Sequence, residues 1–171
     1  MKNYFIAFVL VFTCLASSAQ ELKVVSDGVT IRFKVYSEDV EGSIGGFEAT
    51  IKFDATNLSE SSISGSVKTE TIDTGNKTRD EHIRSSDYLH ASKYPKITFS
   101  SRSIEESEDK YVMKGLLNLM GVEKEITITF SYEDKVFVAK SYFYLADFGL
   151  DAWKKRDDSK IKVYWKIKVE E

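Results

Sequence analysis

Cysteine is almost absent from this sequence, because Cys14 is the only one among its 171 residues. It lies in an N-terminal apolar segment that we expect to be removed on export. Without it the chain has no disulfide, no thiol nucleophile and no thiolate metal ligand. Phe12 and Thr13 precede Cys14, whereas a lipidated cysteine follows a small residue, so lipidation is not expected. The rest of the chain must be stabilised by its hydrophobic core alone.

The N-terminal apolar run is too short to span a membrane. It extends from Tyr4 to Leu15 after a positive Lys2, and small residues follow it up to Ala19, whereas a spanning helix needs roughly 20 apolar residues. A positive start, a short apolar stretch and a small-x-small exit are typical of a secretory signal peptide. We therefore predict a signal peptide over residues 1–19 and a single periplasmic or secreted domain over residues 20–171.

An excess of positive charge is also missing. The chain carries 24 basic and 27 acidic side chains, which gives a formal charge of −3. Nucleic-acid-binding proteins typically carry a strongly basic stripe, so no nucleic-acid partner is expected. The charge is consistent with simple solubility.

Residue patterns for catalysis or metal binding are sparse. His82 and His90 are the only histidines, and a zinc site of ordinary strength needs three or four ligands. The sequence contains no G-x-S-x-G elbow, no P-loop and no G-x-G-x-x-G fingerprint. We therefore predict no catalytic residue, no metal site and no cofactor, and a protein that is not an enzyme.

What the sequence does contain is strand-type alternation of apolar and polar residues. One-sided strands of this kind favour antiparallel pairing with water on the polar face. An even number of them forms a sandwich or closes into a barrel, and eight strands leave room for side chains or one small ligand. The eight predicted strands are Val29–Val35, Phe47–Phe53, Ile63–Thr71, Ile97–Ser103, Tyr111–Leu119, Val122–Tyr132, Phe137–Leu145 and Ile161–Val169.

One segment interrupts the strand pattern. Thr78 and Glu81 have the spacing of a capping box, and Asp80 and Arg84 have the i, i+4 spacing of a helical charge pair. These features predict a short helix over Thr78–Asp87. We expect this polar helix to lie over one rim of the sheet.

The predicted helix holds the densest group of functional side chains in the chain. One interpretation is a polar mouth that contacts a ligand head group, and the other is that capping and salt bridges only fix the helix between two strands. The candidate mouth residues are Arg79, His82, Arg84 and Tyr88.

Large apolar side chains dominate the predicted inner face of the strands. They form either an ordinary core or the lining of an elongated cavity for an alkyl or isoprenoid tail. The candidate lining residues are Phe33, Phe47, Phe53, Phe99, Met113, Leu117, Phe143 and Trp165.

The stretch from Thr71 to Ser101, TIDTGNKTRDEHIRSSDYLHASKYPKITFSS, resembles the signature of the YceI-like family of bacterial exported proteins. Gly45–Phe47, Ile51–Asp54 and Gly115–Val122 resemble further motifs of that family, in the same order. The sequence departs from the family pattern at Ala146, which stands where an arginine is common.

The resemblance implies an all-β fold, an eight-stranded antiparallel lipocalin-like barrel with one short helix inserted between strands. It also implies binding of long isoprenoid or acyl lipids, such as an isoprenoid quinone or a polyprenyl chain, and it raises the expectation of a homodimer. The predicted function is therefore a soluble exported lipid carrier. The alternative is an interaction or structural module whose barrel is filled by its own side chains.

Overall fold

The computed structural model describes residues 19–171, so the predicted signal peptide lies outside the described residues except for Ala19. Residues 19–171 form nine β-strands, one α-helix and four 3-10 helices. The strands are β1 Glu21–Val35, β2 Val40–Ser43, β3 Glu48–Lys52, β4 Ser62–Lys68, β5 Lys96–Ser107, β6 Lys110–Leu119, β7 Val122–Glu133, β8 Val136–Tyr144 and β9 Lys160–Glu170. Helix α1 is Lys77–Arg84, and the 3-10 helices are Leu58–Glu60, Thr69–Thr71, Leu145–Phe148 and Arg156–Ser159.

Eight of these strands close into an antiparallel barrel. They pair in the order β1-β3-β4-β5-β6-β7-β8-β9, and β9 pairs back onto β1. The short β2 stands outside this ring as a hairpin partner of β1, with a register running from Val35↔Val40 to Arg32↔Ser43. Closure leaves few strand edges free to pair with other chains. The predicted eight-stranded antiparallel barrel with one short helix is therefore confirmed.

Strand β1 begins at Glu21 rather than at the predicted Val29. The register against β9 shifts between Val24 and Val29, and such a bulge bends and twists its strand. Before the bulge β1 pairs with β3 through Glu21 and Leu22, and after it β1 pairs with β2. The predicted boundary was wrong, because residues 21–28 form a strand without regular alternation.

Helix α1 is shorter than predicted and begins one residue earlier. Its N-cap is Asn76, whose Oδ1 accepts a 3.1 Å hydrogen bond from the backbone N–H of Arg79. The predicted Thr78–Glu81 capping box is wrong, because Thr78 already lies in the first helical turn. At the other end the helix stops at Arg84, and the N–H of Ser85 closes the last turn on the carbonyl of His82.

The end of the barrel away from α1 is packed solid by aromatic rings. Phe53 lies at the centre, with its ring centroid 5.1 Å from that of Tyr111, 5.7 Å from Phe130, 5.0 Å from Tyr132 and 5.4 Å from Phe137. Edge-on and tilted contacts at these distances are the favoured geometry of aromatic pairs. We call these five residues the closed-end cluster. They leave this end of the barrel filled by the protein itself.

Candidate ligand-binding cavity

The opposite end of the barrel is hollow. A cavity of about 700 Å³ lies there, within the size range of small-molecule sites. Six of the eight barrel strands, β1, β4, β5, β6, β8 and β9, contribute wall residues from the ends that lie nearest α1. On β9, for example, Ile161, Val163 and Trp165 point inward at successive alternate positions.

Aromatic side chains shape the cavity wall because glycines on adjacent strands leave room for them. A Cβ on Gly115 would lie 2.5 Å from the ring of Phe99, and a Cβ on Gly42 would lie 2.5 Å from the ring of Phe33. Each ring therefore occupies the space that a side chain would take at the glycine. Phe99 in turn meets Trp165 edge-on, with 6.2 Å between their ring centroids.

The structure brings six of the eight candidate lining residues together around the cavity, and the other two lie elsewhere. Phe53 is the centre of the closed-end cluster, and Met113 is 1% exposed in the filled half of the barrel. Both face inward as their alternation indicates, but they lie too far along the barrel axis to line the cavity. The six lining residues are Phe33, Phe47, Phe99, Leu117, Phe143 and Trp165.

Three segments form the mouth of the cavity. They are the β1–β2 turn with Glu38, helix α1 with the following Tyr88, and the segment between β8 and β9 with Trp153. The helix is held down by Asp80, which is 4% exposed and accepts hydrogen bonds from the N–H and the hydroxyl of Thr74 at 2.9 and 2.6 Å. These two bonds tie α1 to Thr74 in the loop that precedes it, and the positive charge of Arg84, the predicted partner, adds to them.

The electrostatic surroundings keep Asp80 ionised. Its burial raises the pKa of the carboxyl, but the hydrogen bonds from Thr74 and the positive charges of Arg84 and Arg79 together outweigh it. The net result is a pKa below the ordinary value of an aspartate. Asp80 is therefore a structural anion beneath the mouth.

The four candidate mouth residues divide into two groups. Arg79 and Arg84 hold the helix, because Arg79 donates from Nε and Nη2 to the hydroxyl and carbonyl of Thr74 at 2.8 and 2.9 Å, and Arg84 donates from Nη2 to the carbonyl of Ile72 at 3.1 Å. Arg79 also lines the cavity, whereas Arg84 does not. His82 and Tyr88 both line it, with their ring centroids 4.6 Å apart.

Trp153 is a cavity residue that the sequence pattern did not reveal. It lies in an irregular segment, where no alternation shows which way a side chain points. Its Nε1 is buried and has no hydrogen-bond partner among residues 19–171, although buried polar groups are nearly always paired. A residue that lines the cavity therefore carries a buried indole N–H that the described residues leave unpaired, and Nε of Arg84 is the other such atom there.

The segment that carries Trp153 is fixed at both ends. Arg156 donates two hydrogen bonds of 2.6 Å from Nε and Nη2 to the carboxylate of Asp147, and its guanidinium lies 3.6 Å from the ring centroid of Tyr144. The hydrogen bond from Arg156 lowers the pKa of Asp147. The hydroxyl of Ser159, which is fully buried, accepts from the N–H of Ala146 at 3.1 Å. These contacts hold the loop over the cavity.

Residues 19–171 lack two other kinds of feature. Within residues 19–171 no three His, Cys, Asp or Glu side chains come close enough to hold a metal ion. The only helices in that part of the chain are too short or too polar to cross a bilayer.

Comparisons with known proteins agree with the fold. The profile of the family described as "YceI-like domain" matches residues 20–170. Protein YceI of Salmonella newport (strain SL254) is 32% identical over 136 residues, which are 75% of this chain and 71% of that protein. The crystal structure of Burkholderia cenocepacia BcnA has a TM-score of 0.75 and 19% identity, and the match covers 87% of this chain and 100% of BcnA.

A second solved structure is described as a polyisoprenoid binding domain from Saccharophagus degradans implicated in plant cell wall breakdown. It has a TM-score of 0.57 and 12% identity, and the match covers 90% of this chain and 99% of that domain. At these identities the two structural matches show a shared fold.

Proposed function

Because this chain belongs to the YceI-like domain family, we propose that it is an exported carrier that holds a long apolar ligand in the barrel cavity. The ligand class we propose is a polyisoprenoid, an isoprenoid quinone or a similar amphiphilic lipid. The polyisoprenoid-binding domain of the same fold supports this choice. The proposed location is the periplasm or the cell exterior, and the proposed role is binding rather than catalysis.

The observation that carries the proposal is the apolar cavity itself. A barrel that served only as a structural module would fill its interior, as the closed-end cluster does at the other end. Here the inward side chains of six strands instead surround about 700 Å³ of space. Each methylene that a ligand buries there contributes about 0.8 kcal/mol. A hydrocarbon tail is therefore the chemistry that this wall favours.

The polar end of the ligand would lie at the mouth. Trp153, Arg79 and His82 all border this region, and the buried indole N–H of Trp153 has no partner among the described residues. All three side chains can donate a hydrogen bond. A ligand with an acceptor at one end, such as a quinone carbonyl, would satisfy the donor that the protein leaves unpaired.

The experiment is native mass spectrometry of the exported and processed protein, followed by organic extraction and lipid identification. The carrier function predicts a bound isoprenoid or acyl lipid, or uptake of one equivalent of a quinone by protein that was purified empty. The same spectrum gives the mature N-terminus and the oligomeric state. A clean mass with no uptake would favour the self-contained structural module instead.

A cavity-filling variant makes this test specific. Val163→Trp places a large side chain in the cavity, so we expect the fold to be retained and quinone affinity to fall about tenfold or more, since the ligand loses its space. Val112→Trp is the matched control, because Val112 lies on the outer face of β6. Equal quinone affinity of wild type and Val163→Trp would contradict binding inside the barrel.

A further inference from the structure

The outer face of β1, β9 and β8 is unusually basic. The pairing registers place twelve outward-facing residues side by side on these three strands, and none of them is acidic. Seven are lysine or arginine and three are tyrosine. The residues are Thr30, Arg32, Lys34, Val138, Lys140, Tyr142, Tyr144, Lys160, Lys162, Tyr164, Lys166 and Lys168. We call them the basic face.

This concentration of positive charge contrasts with the chain as a whole, whose formal charge is −3. It also works against folding, because Lys34 and Lys162 lie directly opposite each other in the β1–β9 register and like charges at such positions are destabilising. Lys34 is neutralised by Asp39 and Glu41, each 2.9 Å away. The fold therefore gives no reason for the accumulation of lysines beside it.

The other six cations of the basic face have no carboxylate partner. Every ion pair found in residues 19–171 involves side chains other than Arg32, Lys140, Lys160, Lys162, Lys166 and Lys168. On these three strands the acidic residues are Glu21 and Glu170 at strand ends and Asp27 in the bulge of β1. A surface with several unpaired cations on one side attracts an extended anionic partner.

Tyrosines are interleaved with these lysines. Tyr142 is 46% exposed, with the ammonium of Lys160 5.5 Å from its ring centroid, and Val138, on the same face of β8 beyond Lys140, is 36% exposed. Amphipathic rings and long lysine side chains are suited to the boundary between lipid head groups and water.

The part of the basic face nearest α1 is the outer surface of the cavity wall. On the same stretches of β9, β1 and β8, the residues that point inward line the cavity, among them Val163, Phe33 and Phe143. A surface that rests on this part of the face therefore lies one sheet thickness from the cavity and beside its mouth, whereas Val138 and Lys168 lie over the filled half of the barrel.

We propose that the basic face docks the protein on the surface of a membrane rich in anionic phospholipids. This inference rests on the proposed function, because docking would bring the mouth of the cavity to the source of the lipid cargo. The charge of the face selects an anionic partner, and the exposed tyrosines together with the adjoining cavity favour a lipid surface over a nucleic acid or an acidic protein.

The test is co-sedimentation of the exported, processed protein with vesicles that contain about one-third phosphatidylglycerol, compared with pure phosphatidylcholine vesicles. We expect binding only to the anionic vesicles, and its loss in about 1 M salt, where the Debye length falls to about 3 Å. The double variant Lys162→Glu/Lys166→Glu should bind roughly thirtyfold more weakly or worse, since each basic residue near an anionic surface contributes about fivefold.

The matched control is Lys110→Glu/Lys114→Glu, which makes the same change in net charge on the exposed side of β6. It should bind within about threefold of wild type if the position of the charges matters. The proposal would be overturned if both double variants lost binding to anionic vesicles equally, or if wild type bound both vesicle types equally. A wild-type dimer that the Lys162→Glu/Lys166→Glu change converts to monomers would also overturn it, because the face would then be a protein interface.

Quinone titration of the same variants separates this inference from the proposed function. Unchanged quinone affinity in Lys162→Glu/Lys166→Glu, with vesicle binding lost, is the result expected if both hold. Vesicle binding without any lipid uptake would leave docking standing and reject the carrier function. Lipid uptake without vesicle binding would leave the carrier function standing and reject docking.

Discussion

At the scale of single residues, the mouth depends on a few polar side chains whose roles differ. Asp80, Arg79 and Arg84 hold the helix, so their charges serve the structure of the mouth. Trp153 differs from them because it lines the cavity while its buried indole N–H makes no hydrogen bond within the described residues. Dense charge in a short segment therefore indicated the mouth without separating its structural residues from those that face a ligand.

Replacing Asp80 with asparagine tests its structural role. At pH 7 we expect Asp80→Asn to lower the free energy of unfolding by about 1–2 kcal/mol, because charge-assisted bonds to Thr74 become neutral ones. Since folding lowers the pKa of Asp80, its contribution is present above the unfolded pKa, near 3.9, and is lost as the pH falls through the folded value. Urea unfolding from pH 7 to pH 3 should show the two proteins converging below about pH 4.

The control for this experiment is Asp87→Asn, because Asp87 is exposed just beyond α1. Its unfolding free energy should stay within about 0.5 kcal/mol of wild type at every pH. If the unfolding free energies of Asp80→Asn and wild type differed by the same amount at every pH, the charge of Asp80 would have no part in holding α1.

The two tryptophans allow a test of head-group recognition. Trp153→Phe should weaken binding of a quinone about five- to tenfold, the value of one hydrogen bond. It should leave binding of an oxygen-free isoprenoid hydrocarbon nearly unchanged. Trp165→Phe removes apolar contact on the cavity wall instead, so we expect equal losses for both ligands. Fluorescence titration measures all four affinities, and equal losses for both ligands in Trp153→Phe would count against a donor role.

At the scale of elements, α1 is an eight-residue helix that is too short to be stable alone. It persists because Asn76 caps its first turn, Asp80 ties it to Thr74, and Ile83 packs against the core. The segment from Leu145 to Ser159 is likewise held by the Arg156–Asp147 pair. Both mouth elements therefore depend on a few polar contacts.

Removing the cap should loosen the helix locally. Asn76→Ala should cost about 1 kcal/mol, the usual value of an N-cap, and should speed amide exchange across Lys77–Arg84 while the strands stay protected. Asn57→Ala is the control, because Asn57 precedes the 3-10 helix Leu58–Glu60 without a side-chain cap bond. Unchanged exchange in α1 would show that Asn76 does not hold it. Amide hydrogen exchange followed by mass spectrometry measures both variants.

At the scale of the whole molecule, the barrel divides its interior into a filled half and a hollow half. The closed-end cluster supplies dense aromatic packing around Phe53, while Phe99 borders the cavity beside Trp165. Stability and ligand binding are therefore expected to be carried by different ends of one sheet.

Two equivalent truncations test this division. Phe53→Ala should lower the free energy of unfolding by about 3–5 kcal/mol, because it opens a void in a filled core. Phe99→Ala should cost less than half as much, since Phe99 already borders space and loses fewer contacts, and it should change quinone affinity more than Phe53→Ala does. Urea unfolding and quinone titration provide the two readouts. Equal stability losses would mean that the cavity end is packed as tightly as the closed end.

Alternation along the chain was enough to predict the eight barrel strands and their antiparallel pairing, because side chains in a strand point to alternate faces. Closure into a barrel rather than a sandwich was implied by the family resemblance. Alternation also showed that Phe53 and Phe99 both face inward. The missed strand β2 and the bulge in β1 lie where alternation is short or irregular.

Only the tertiary structure decided where the interior is full and where it is hollow. A period of two determines the face of each side chain, but the space left at a given level of the barrel depends on side chains from all eight strands together. Phe53 meets four rings from other strands, whereas Phe99 faces a cavity. The inward position of Trp153 likewise depends on a loop held by the distant pair Arg156–Asp147, which no local pattern reveals.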